Sequence, residues 1–422
     1  MRTMVTRATM EHMSISELKA KALSRASDDS RVGALSAALG DRADQCLLVG
    51  GCVRDMALGL PPVELDVLVL GNALDLVDSL GFDCLERHER FLTATCDFDW
   101  GRVDFASARR ETYEHPGALP EVEPAPLEED LLRRDFTVNA LTMPLGSREP
   151  GDWPAAELGW ADLDAKLLRV LHDRSFVDDP TRLWRMARYA ARCGLTPEPE
   201  TLGLAQAAVD GKFLEGVSPS RLGTELLRTI DASEPAAAIA SAALHGLLSS
   251  VGGSGLGIPQ LADMADRWAD LDQSRVRVAA IWWQAGPVSA ARAELIADLG
   301  LGAELTDLAR QASDPSGFLN GLEAATRPSE IVQACSDWAP EVAALASTAS
   351  VGDRASLWLG ELRFVKSPVS GRELMAAGIP EGPLVGVGVS AGLDYFLDNE
   401  HASQADVLEA ATSAARDAGW QK

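Results

Sequence analysis

The sequence predicts an α/β head followed by an all-α neck and body. Near the start of the chain, the apolar run Cys46–Val49 ends at a glycine pair and is followed by a helical segment and a second apolar run at 65–70. Pro180 marks the expected start of a helix, and the remainder of the chain is rich in alanine and leucine. We expect a loosely held N-terminal extension at 1–30, a head with a small mixed sheet at 31–150, a helical neck at 151–235 and a helical body at 236–422.

The first predicted strand, Cys46–Val49, enters a tight turn at Gly50 and Gly51. Glycine lets the backbone approach a ligand closely, and the N–H groups at the start of the next helix, expected at about 53–58, can hold a phosphate. Arg54 in the first turn of that helix can add charge-assisted hydrogen bonds to a polyphosphate. Because a glycine pair alone usually marks an ordinary turn, the prediction of a phosphate site also requires an adjacent carboxylate pair.

The second predicted strand carries two carboxylates. After the break at 59–62, Glu64 and Asp66 follow the strand period of two and therefore lie on one face. Such a pair is a hard-oxygen site for Mg²⁺, although an acidic pair at this spacing is usually a solvated edge. Asp104, on a further predicted strand, is a weaker candidate for a third carboxylate, because an aspartate at a strand edge needs no ligand.

The segment after Pro180 predicts an amphipathic helix. Proline is favoured at the first helical position and Asp179 is a good N-cap, so the helix is expected to begin there. Its polar side chains share one face at helical spacing, and they are Asp178, Arg182, Arg185, Tyr189 and Arg192. An Asp179 acceptor beside an Arg182 donor can read the Watson–Crick edge of a base. On its own, the pattern favours a solvated basic face with a capping aspartate.

Taken together and in this order, these segments resemble the class II nucleotidyltransferases, a family that includes bacterial tRNA CCA-adding enzymes and poly(A) polymerases. The first motif runs from Gly50-Gly51 through Arg54 to Asp66. The matching segments lie at 50–66, 106–113, 132–141, 158–170, 176–192, 217–226 and 370–383. The resemblance therefore covers nearly the whole chain.

The resemblance implies template-independent addition of nucleotides from CTP and ATP to an RNA 3′ end, with CCA addition or repair on tRNA as the first interpretation. It also implies two-metal catalysis with release of pyrophosphate, in which Glu64 and Asp66 are the catalytic carboxylates and hold Mg²⁺. The residues that it assigns to nucleotide binding are Gly50, Gly51, Arg54, Arg134, Asp179, Arg182, Arg185 and Arg188. Without the resemblance, Arg134 and its neighbours would be interpreted as a surface ion-pair cluster.

Two positions depart from the family pattern. The first metal carboxylate is usually aspartate and is Glu64 here, and the nucleotide-reading motif usually begins with glutamate and begins with Asp178 here. Both changes keep the charge, but they leave open a catalytically weakened RNA-binding paralogue. Within the enzyme class, poly(A) polymerase and enzymes that add only CC or only A stay open, because they share the motifs and differ in loop behaviour and RNA docking.

The composition favours a folded protein that contacts RNA locally. The 422 residues are 46% hydrophobic and carry a net charge of −25. This negative charge argues against extensive contacts with long RNA and favours binding of a compact tRNA end over processive polyadenylation. The arginines between 169 and 192 could supply a local basic patch. No apolar stretch reaches the roughly 18–20 residues of a membrane span, and no signal core begins the chain, so we expect a cytoplasmic protein without a membrane partner.

The remaining residue types give negative predictions. The six cysteines show no Cys-x-x-Cys spacing, and we expect reduced, buried thiols rather than disulfides or zinc ligands. The six histidines form no metal motif, so an appended phosphohydrolase module is not indicated. Trp282, Trp283 and Trp358 are expected in the core rather than as stacking platforms. The oligomeric state is not predicted.

Overall fold

The computed structural model describes residues 14–146 and 154–419. These residues form two compact units that divide between Ser250 and Val251. The first unit holds the predicted head and neck together, and the boundaries expected at 30, 150 and 235 stay predictions. The α/β head and the helical remainder that the sequence predicts are confirmed.

The strands of the first unit are β1 Cys46–Val49, β2 Leu65–Val69, β3 Cys84–His88, β4 Thr93–Phe98, β5 Gly101–Ser107, β6 Arg109–Thr112, β7 Glu121–Pro124, β8 Thr142–Pro144, β9 Leu167–Leu168 and β10 Thr196–Pro197. Six of them form a mixed sheet in the order β3-β4-β5-β2-β1-β8. Strands β2 and β5 are parallel, and the other neighbours in this sheet are antiparallel. The predicted strands at 46–49 and 65–70 are therefore confirmed as β1 and β2.

The helices of the first unit are α1 Ile15–Asp28, α2 Ser30–Leu39, α3 Gly51–Leu58, α4 Ala73–Leu80, α5 Leu127–Leu132, α6 Pro154–Asp164, α7 Ser175–Asp178, α8 Arg182–Cys193, α9 Pro199–Asp210, α10 Pro219–Ile230 and α11 Pro235–Leu244. Helix α3 begins earlier than expected because Gly50, with a φ of 76°, turns the chain directly from β1 into the helix. Helix α8 begins at Arg182 rather than at Pro180. Asp179 still closes this turn, since its carboxylate accepts the Thr181 backbone N–H at 3.1 Å.

One face of the sheet is partly covered by α5 and α6. Leu127 and Leu131, one helical turn apart on α5, are buried against Leu47 and Leu68 of the sheet. Asp66 lies two residues before Leu68 and therefore on the same face. The apolar cover thus ends next to Asp66, which places this carboxylate at the rim of the covered area.

The predicted N-terminal extension is packed from residue 14 onward, and residues 1–13 lie outside the described residues. Leu18, Ala22 and Ala26 recur every four residues along α1 and are buried. Arg25 Nη1 donates to the Met56 carbonyl oxygen at 2.7 Å, which ties α1 to the end of α3. The described part of the extension is therefore held against the head rather than loosely attached, because its apolar residues follow the helical period.

One prediction about the cysteines is wrong. Cys84 and Cys96 form a disulfide between β3 and β4, where the two residues lie directly opposite each other. Their sequence separation of 12 gave no sign of this pairing. The other four cysteines are free thiols, and Cys46, Cys52 and Cys335 among them are buried as predicted.

The second unit is helical throughout the residues that the structure describes. Its helices are α12 Leu261–Arg267, α13 Gln273–Trp282, α14 Ala290–Asp298, α15 Ala303–Ser313, α16 Ser316–Ala324, α17 Pro328–Cys335, α18 Pro340–Ala346, α19 Gly352–Gly360, α20 Gly371–Ala376, α21 Pro383–Asp398 and α22 Gln404–Asp417. Trp282, Trp283 and Trp358 are buried in its core, as the sequence predicts. Across 14–146 and 154–419, no helix combines the length and apolar character needed to cross a membrane.

Candidate active site

A cavity of about 440 Å³ lies between the Gly50–Gly51 turn, β6 and the start of α8. Its lining residues are Gly50, Gly51, Asp66, Arg109, Glu111, Tyr113, Pro120, Arg133, Arg134, Asp135, Asn139, Asp179, Arg182, Arg185, Tyr189 and Arg221. Arginines outnumber carboxylates in this set, so a chain with a net charge of −25 has a locally cationic cavity. The cavity brings together most of the predicted site residues, namely Gly50, Gly51, Asp66, Arg134, Asp179, Arg182 and Arg185.

The glycine turn forms one end of the cavity. Gly50 has φ 76° and ψ −127°, a conformation that residues with side chains rarely adopt. A Cβ atom at Gly50 would lie 3.2 Å from Arg134 Nη1 and 3.3 Å from the Asn139 carbonyl oxygen. Glycine therefore allows the Arg134 guanidinium to lie against the N-terminus of α3. This arrangement combines helix N–H groups with a positive charge, which suits a phosphate.

A buried carboxylate on α5 orients this arginine. Asp130 is 0% exposed; its Oδ2 accepts from Arg134 Nη2 at 2.9 Å, and its Oδ1 accepts from Arg133 Nη2 at 2.6 Å. Burial alone would raise the pKa of Asp130, but the two guanidinium groups lower it below its usual range. Sequence reasoning missed Asp130, although its spacing of three and four residues from the arginines was a readable signal.

Carboxylates from neighbouring strands meet beside the glycine turn. Asp66 on β2 is the direct partner of Asp104 on β5, so both side chains lie on one face of the sheet. Asp104 accepts a hydrogen bond from Thr95 Oγ1 at 2.6 Å. The pKa of Asp66 is raised to about 6, first by burial and then by the negative charges of Asp104 and the exposed Glu64. Asp66 lines the cavity, whereas Glu64 does not.

The chemistry of these donors fits a divalent cation. Among residues 14–146 and 154–419, no group of three or more His, Cys, Asp or Glu side chains is already arranged around a metal position. Carboxylate oxygens are nevertheless the ligands that Mg²⁺ prefers, and a cation beside Asp66 would offset the repulsion from Asp104 and Glu64. The carboxylates that the sheet register brings together for a cation are therefore Asp66 and Asp104, and Glu64 of the predicted pair lies outside the cavity lining.

An acceptor and a donor occupy the other end of the cavity. Asp179 Oδ1 accepts from Thr181 Oγ1 at 2.7 Å and from Arg221 Nη2 at 3.0 Å. Arg182 is 5% exposed, and it donates from Nη1 to Ser175 Oγ and from Nη2 to the Arg133 carbonyl oxygen, both at 2.7 Å. Both side chains are thus fixed by protein contacts on the cavity wall.

Arg185 is held in the same wall by Asp135. Arg185 Nε donates to Asp135 Oδ2 at 2.7 Å, and its guanidinium lies 5.6 Å from the centre of the Tyr189 ring. Burial alone would raise the pKa of Asp135, but the charge of Arg185 and a hydrogen bond from Asn139 lower it to about 2. Asp135 therefore stays ionised at neutral pH and fixes the orientation of Arg185.

Two of the predicted nucleotide-binding arginines lie behind the lining. Arg54 is 3% exposed, donates to Asp55 and Asn139, and lies 4.8 Å from the Tyr189 ring centre. Arg188 forms an ion pair with Glu225 on α10 at 2.5 Å. Neither residue lines the cavity, so both are placed to support the wall.

Asp178, which differs from the family pattern, also lies outside this cavity. Its carboxylate accepts from Arg174 Nη2 at 3.1 Å and lies 4.0 Å from His172 Nδ1. It lines a second cavity of about 440 Å³ that shares Glu111, Tyr113, Arg133 and Arg182 with the first. The replacement of glutamate by aspartate at this position therefore does not alter the lining of the cavity that contains Asp66.

Strand β6 and the residue after it supply further lining residues that sequence reasoning did not assign. Glu111 accepts from Arg133 Nη1 at 2.7 Å, from Arg109 Nη2 at 3.0 Å and from the Tyr113 hydroxyl at 2.7 Å. Arg109, Glu111 and Tyr113 alternate along the chain, which was a readable signal for one shared face. Arg221 lies in the matching segment at 217–226, and its contact with Asp179 depends on the packing of α10.

Two comparisons with known proteins identify the family. Residues 46–169 match the family model described as the poly A polymerase head domain. The chain is 36% identical to the CC-adding tRNA nucleotidyltransferase of Deinococcus radiodurans over 356 residues, which are 80% of this chain and 81% of that protein. The chain belongs to the class II tRNA nucleotidyltransferase family. The resemblance inferred from the motifs is thereby confirmed.

Other members and structures of this family match over different lengths. The A-adding tRNA nucleotidyltransferase of Geobacter sulfurreducens is 40% identical over 204 residues, which are 47% of this chain and 23% of that protein. The chain spans less than half the length of the A-adding relatives that it matches. A solved apo structure of a CCA-adding enzyme superposes with a TM-score of 0.73 at 25% identity and covers 94% of this chain and 98% of its own.

Proposed function

We propose that the protein adds nucleotides from CTP and ATP to the 3′ end of a tRNA and releases pyrophosphate. One observation carries the proposal. A single cationic cavity joins a glycine turn at a helix N-terminus, the Asp66 carboxylate of β2 and the Asp179–Arg182 acceptor–donor pair, and Asp66 is the register partner of Asp104 on β5. Family membership and the names of the relatives, which are CC-adding, A-adding and multifunctional CCA proteins, support it.

At the glycine end, the chain binds the triphosphate. The N–H groups at the start of α3 and the Arg134 guanidinium hold phosphate oxygens, and the Asp130 contact keeps Arg134 in place while it does so. Asp66, Asp104 and Glu64 would hold Mg²⁺. The chemistry that this ion supplies when bound is activation of the RNA 3′-hydroxyl and stabilisation of charge at the α-phosphate.

At the other end, the chain selects the base. Cytosine and adenine both present an amino donor next to a ring-nitrogen acceptor on the Watson–Crick edge, whereas uracil and guanine present a carbonyl beside an N–H. Asp179 accepts from the amino group and Arg182 donates to the ring nitrogen. Arg185 lines the same wall, and Arg54 and Arg188 support it from behind.

The first candidate product is the complete CCA end. A second candidate is addition of CC alone, which is favoured by the match to a CC-adding protein over most of both chains. We also propose that the protein carries out this reaction on tRNA in the cytoplasm.

The test is to incubate the purified protein with Mg²⁺ and tRNA that lacks its 3′ CCA, supplying CTP, ATP or both, and to size the products on a sequencing gel. Addition of CCA with both nucleotides supports the first candidate, and a stop after CC supports the second. A tRNA that already ends in CCA is the control and stays unextended. A long ATP-dependent ladder would indicate a poly(A) polymerase, and no extension of any RNA would favour a non-catalytic RNA-binding paralogue.

A further inference from the structure

We propose that Arg192 is a positioning residue that sets base selection, because it fixes α8 against the phosphate-binding end of the site. The inference rests on the proposed function and adds a residue that touches neither the nucleotide nor the metal position. Arg192 lies in the last turn of α8 and does not line the cavity. Its effect on selection therefore acts through the position of α8.

The Arg192 guanidinium at the end of α8 donates hydrogen bonds to two parts of the head, helix α3 and the loop at Pro61. Arg192 Nη2 donates to Asp55 Oδ2 at 2.6 Å and to the Pro61 carbonyl oxygen at 3.3 Å. Asp55 lies on α3, whose N-terminus forms the proposed phosphate site. Pro61 lies in the loop that leads to Glu64 and Asp66. The end of α8 is therefore tied both to the phosphate helix and to the loop before the carboxylates.

The Asp55 contact continues through buried side chains to the cavity wall. Asp55 Oδ1 accepts from Arg54 Nη2 at 2.7 Å, and Arg54 Nη1 donates to Asn139 Oδ1. Asn139 Nδ2 then donates to Asp135 Oδ1 at 2.9 Å, and Asp135 holds Arg185. Arg185 and Arg192 are about two helical turns apart and so lie on one face of α8. This series of contacts therefore begins at Arg192 and ends at Arg185, and both residues belong to α8.

This arrangement determines where Arg182 lies. Arg182 is the first residue of α8, so the position of the helix sets where its side chain begins, and Ser175 Oγ and the Arg133 carbonyl oxygen accept from its donor groups. Without the Arg192 contacts, the helix keeps its contacts at Arg185 and Arg188 and loses those that join its last turn to α3 and to the loop at Pro61, which permits a tilt. A misplacement of about 1 Å at a reacting geometry can cost on the order of 100-fold in rate. Base discrimination should therefore fall although every cavity-lining side chain is intact.

Removal of Arg192 should leave the fold intact. The Asp55 side chain is 4% exposed and the Arg192 side chain 20% exposed. Asp55 keeps its ion pair with Arg54 at 2.7 Å when Arg192 is removed, so no unpaired buried carboxylate is created. Lysine can keep the charge near Asp55, but it lacks the planar fork through which arginine serves several acceptors.

The experiment compares Arg192→Ala and Arg192→Lys with the wild-type protein and with Arg25→Ala. Arg25 is a matched control, because it also donates to α3, at the Met56 carbonyl oxygen, but does so from α1. For each protein, kcat/KM is measured for CTP and ATP and for UTP and GTP, and thermal unfolding is followed in parallel. We expect the ratio of correct to incorrect nucleotides to fall by at least about 10-fold in Arg192→Ala. The ratio should fall less in Arg192→Lys and stay unchanged in Arg25→Ala.

An unchanged selectivity ratio in Arg192→Ala, or an equal loss in Arg25→Ala, would overturn the inference. If Arg192→Ala does not fold, Arg192→Gln takes its place and is judged by the same ratio. If the wild type extends no RNA, the proposed function fails. In that case, the dissociation constants of CTP and UTP are measured for the wild type and the Arg192 variant. The same ratio of the two constants in both proteins would reject the inference.

Discussion

Replacement of Gly50 by alanine tests the geometry of the proposed phosphate-binding end of the cavity. The substitution adds one methyl group at a backbone conformation of φ 76° and ψ −127°. The new Cβ would lie 3.2 Å from Arg134 Nη1 and 3.3 Å from the Asn139 carbonyl oxygen, both shorter than ordinary contacts. The change therefore strains the turn and moves Arg134 away from the N-terminus of α3.

The expected magnitude has two parts. The backbone conformation costs a residue with a side chain about 1–3 kcal/mol, so the free energy of unfolding should fall by roughly 2 kcal/mol. A hydrogen bond to a charged group contributes about 1.5–3 kcal/mol, and its loss from Arg134 to a phosphate should weaken nucleotide binding. At about 1.4 kcal/mol per tenfold, this corresponds to an increase of roughly 10- to 100-fold in the KM for CTP or ATP.

The assay pairs urea unfolding with steady-state nucleotide addition. Gly81→Ala is the matched control, because Gly81 has a φ of 66° and no atom within 4 Å of its added Cβ. The control should lose about 1–2 kcal/mol of stability, because its φ is positive, and should keep its KM. A Gly50→Ala protein that binds nucleotides like the wild type would refute the assignment of this turn to the triphosphate.

Three further outcomes are expected. Asp66→Ala should abolish nucleotide transfer, with a circular dichroism spectrum and unfolding midpoint close to wild type; full activity would reject the metal assignment. Arg182→Ala should reduce the discrimination of CTP and ATP from UTP and GTP, whereas the exposed-pair control Arg87→Ala should not. Because Arg185 lowers the pKa of Asp135 to about 2 against the effect of burial, this carboxylate stabilises the fold above its usual pKa of 3.8 and loses that contribution as the pH falls towards 2. Asp135→Asn should therefore remove about 1 kcal/mol of the stability change between about pH 5 and about pH 3 in urea unfolding.

Local spacing was enough to predict much of the site. The strand period placed Asp66 on a usable face, the glycine pair marked the turn, and Asp179 and Arg182 were close in sequence and are close in the cavity wall. Each of these predictions involves residues on one element or at one turn, where backbone geometry fixes the relation between side chains.

Pairings between distant segments could not be read from spacing. Asp104 meets Asp66 only because β2 and β5 are parallel neighbours, and the chain gives no local sign of that register. The Cys84–Cys96 disulfide was missed for the same reason. Arg54 was expected at a phosphate but is buried, because Asp55 and Asn139 supply acceptors that only the fold brings within reach.

The cavity arginines are engaged with protein acceptors, and this determines how single substitutions must be interpreted. Arg134 donates a hydrogen bond to Asp130, Arg185 donates one to Asp135, and Arg221 donates one to Asp179. Changing Arg185 or Arg221 to alanine also leaves Asp135 or Asp179 without its arginine, and changing Arg134 leaves Asp130 with Arg133 as its remaining guanidinium partner, so the measured loss includes the cost of a less well paired anion. Paired substitutions, in which the acid is replaced by its amide together with the arginine, separate the two contributions. Alanine scanning of this site without these pairs would overstate the contact of each arginine with the nucleotide.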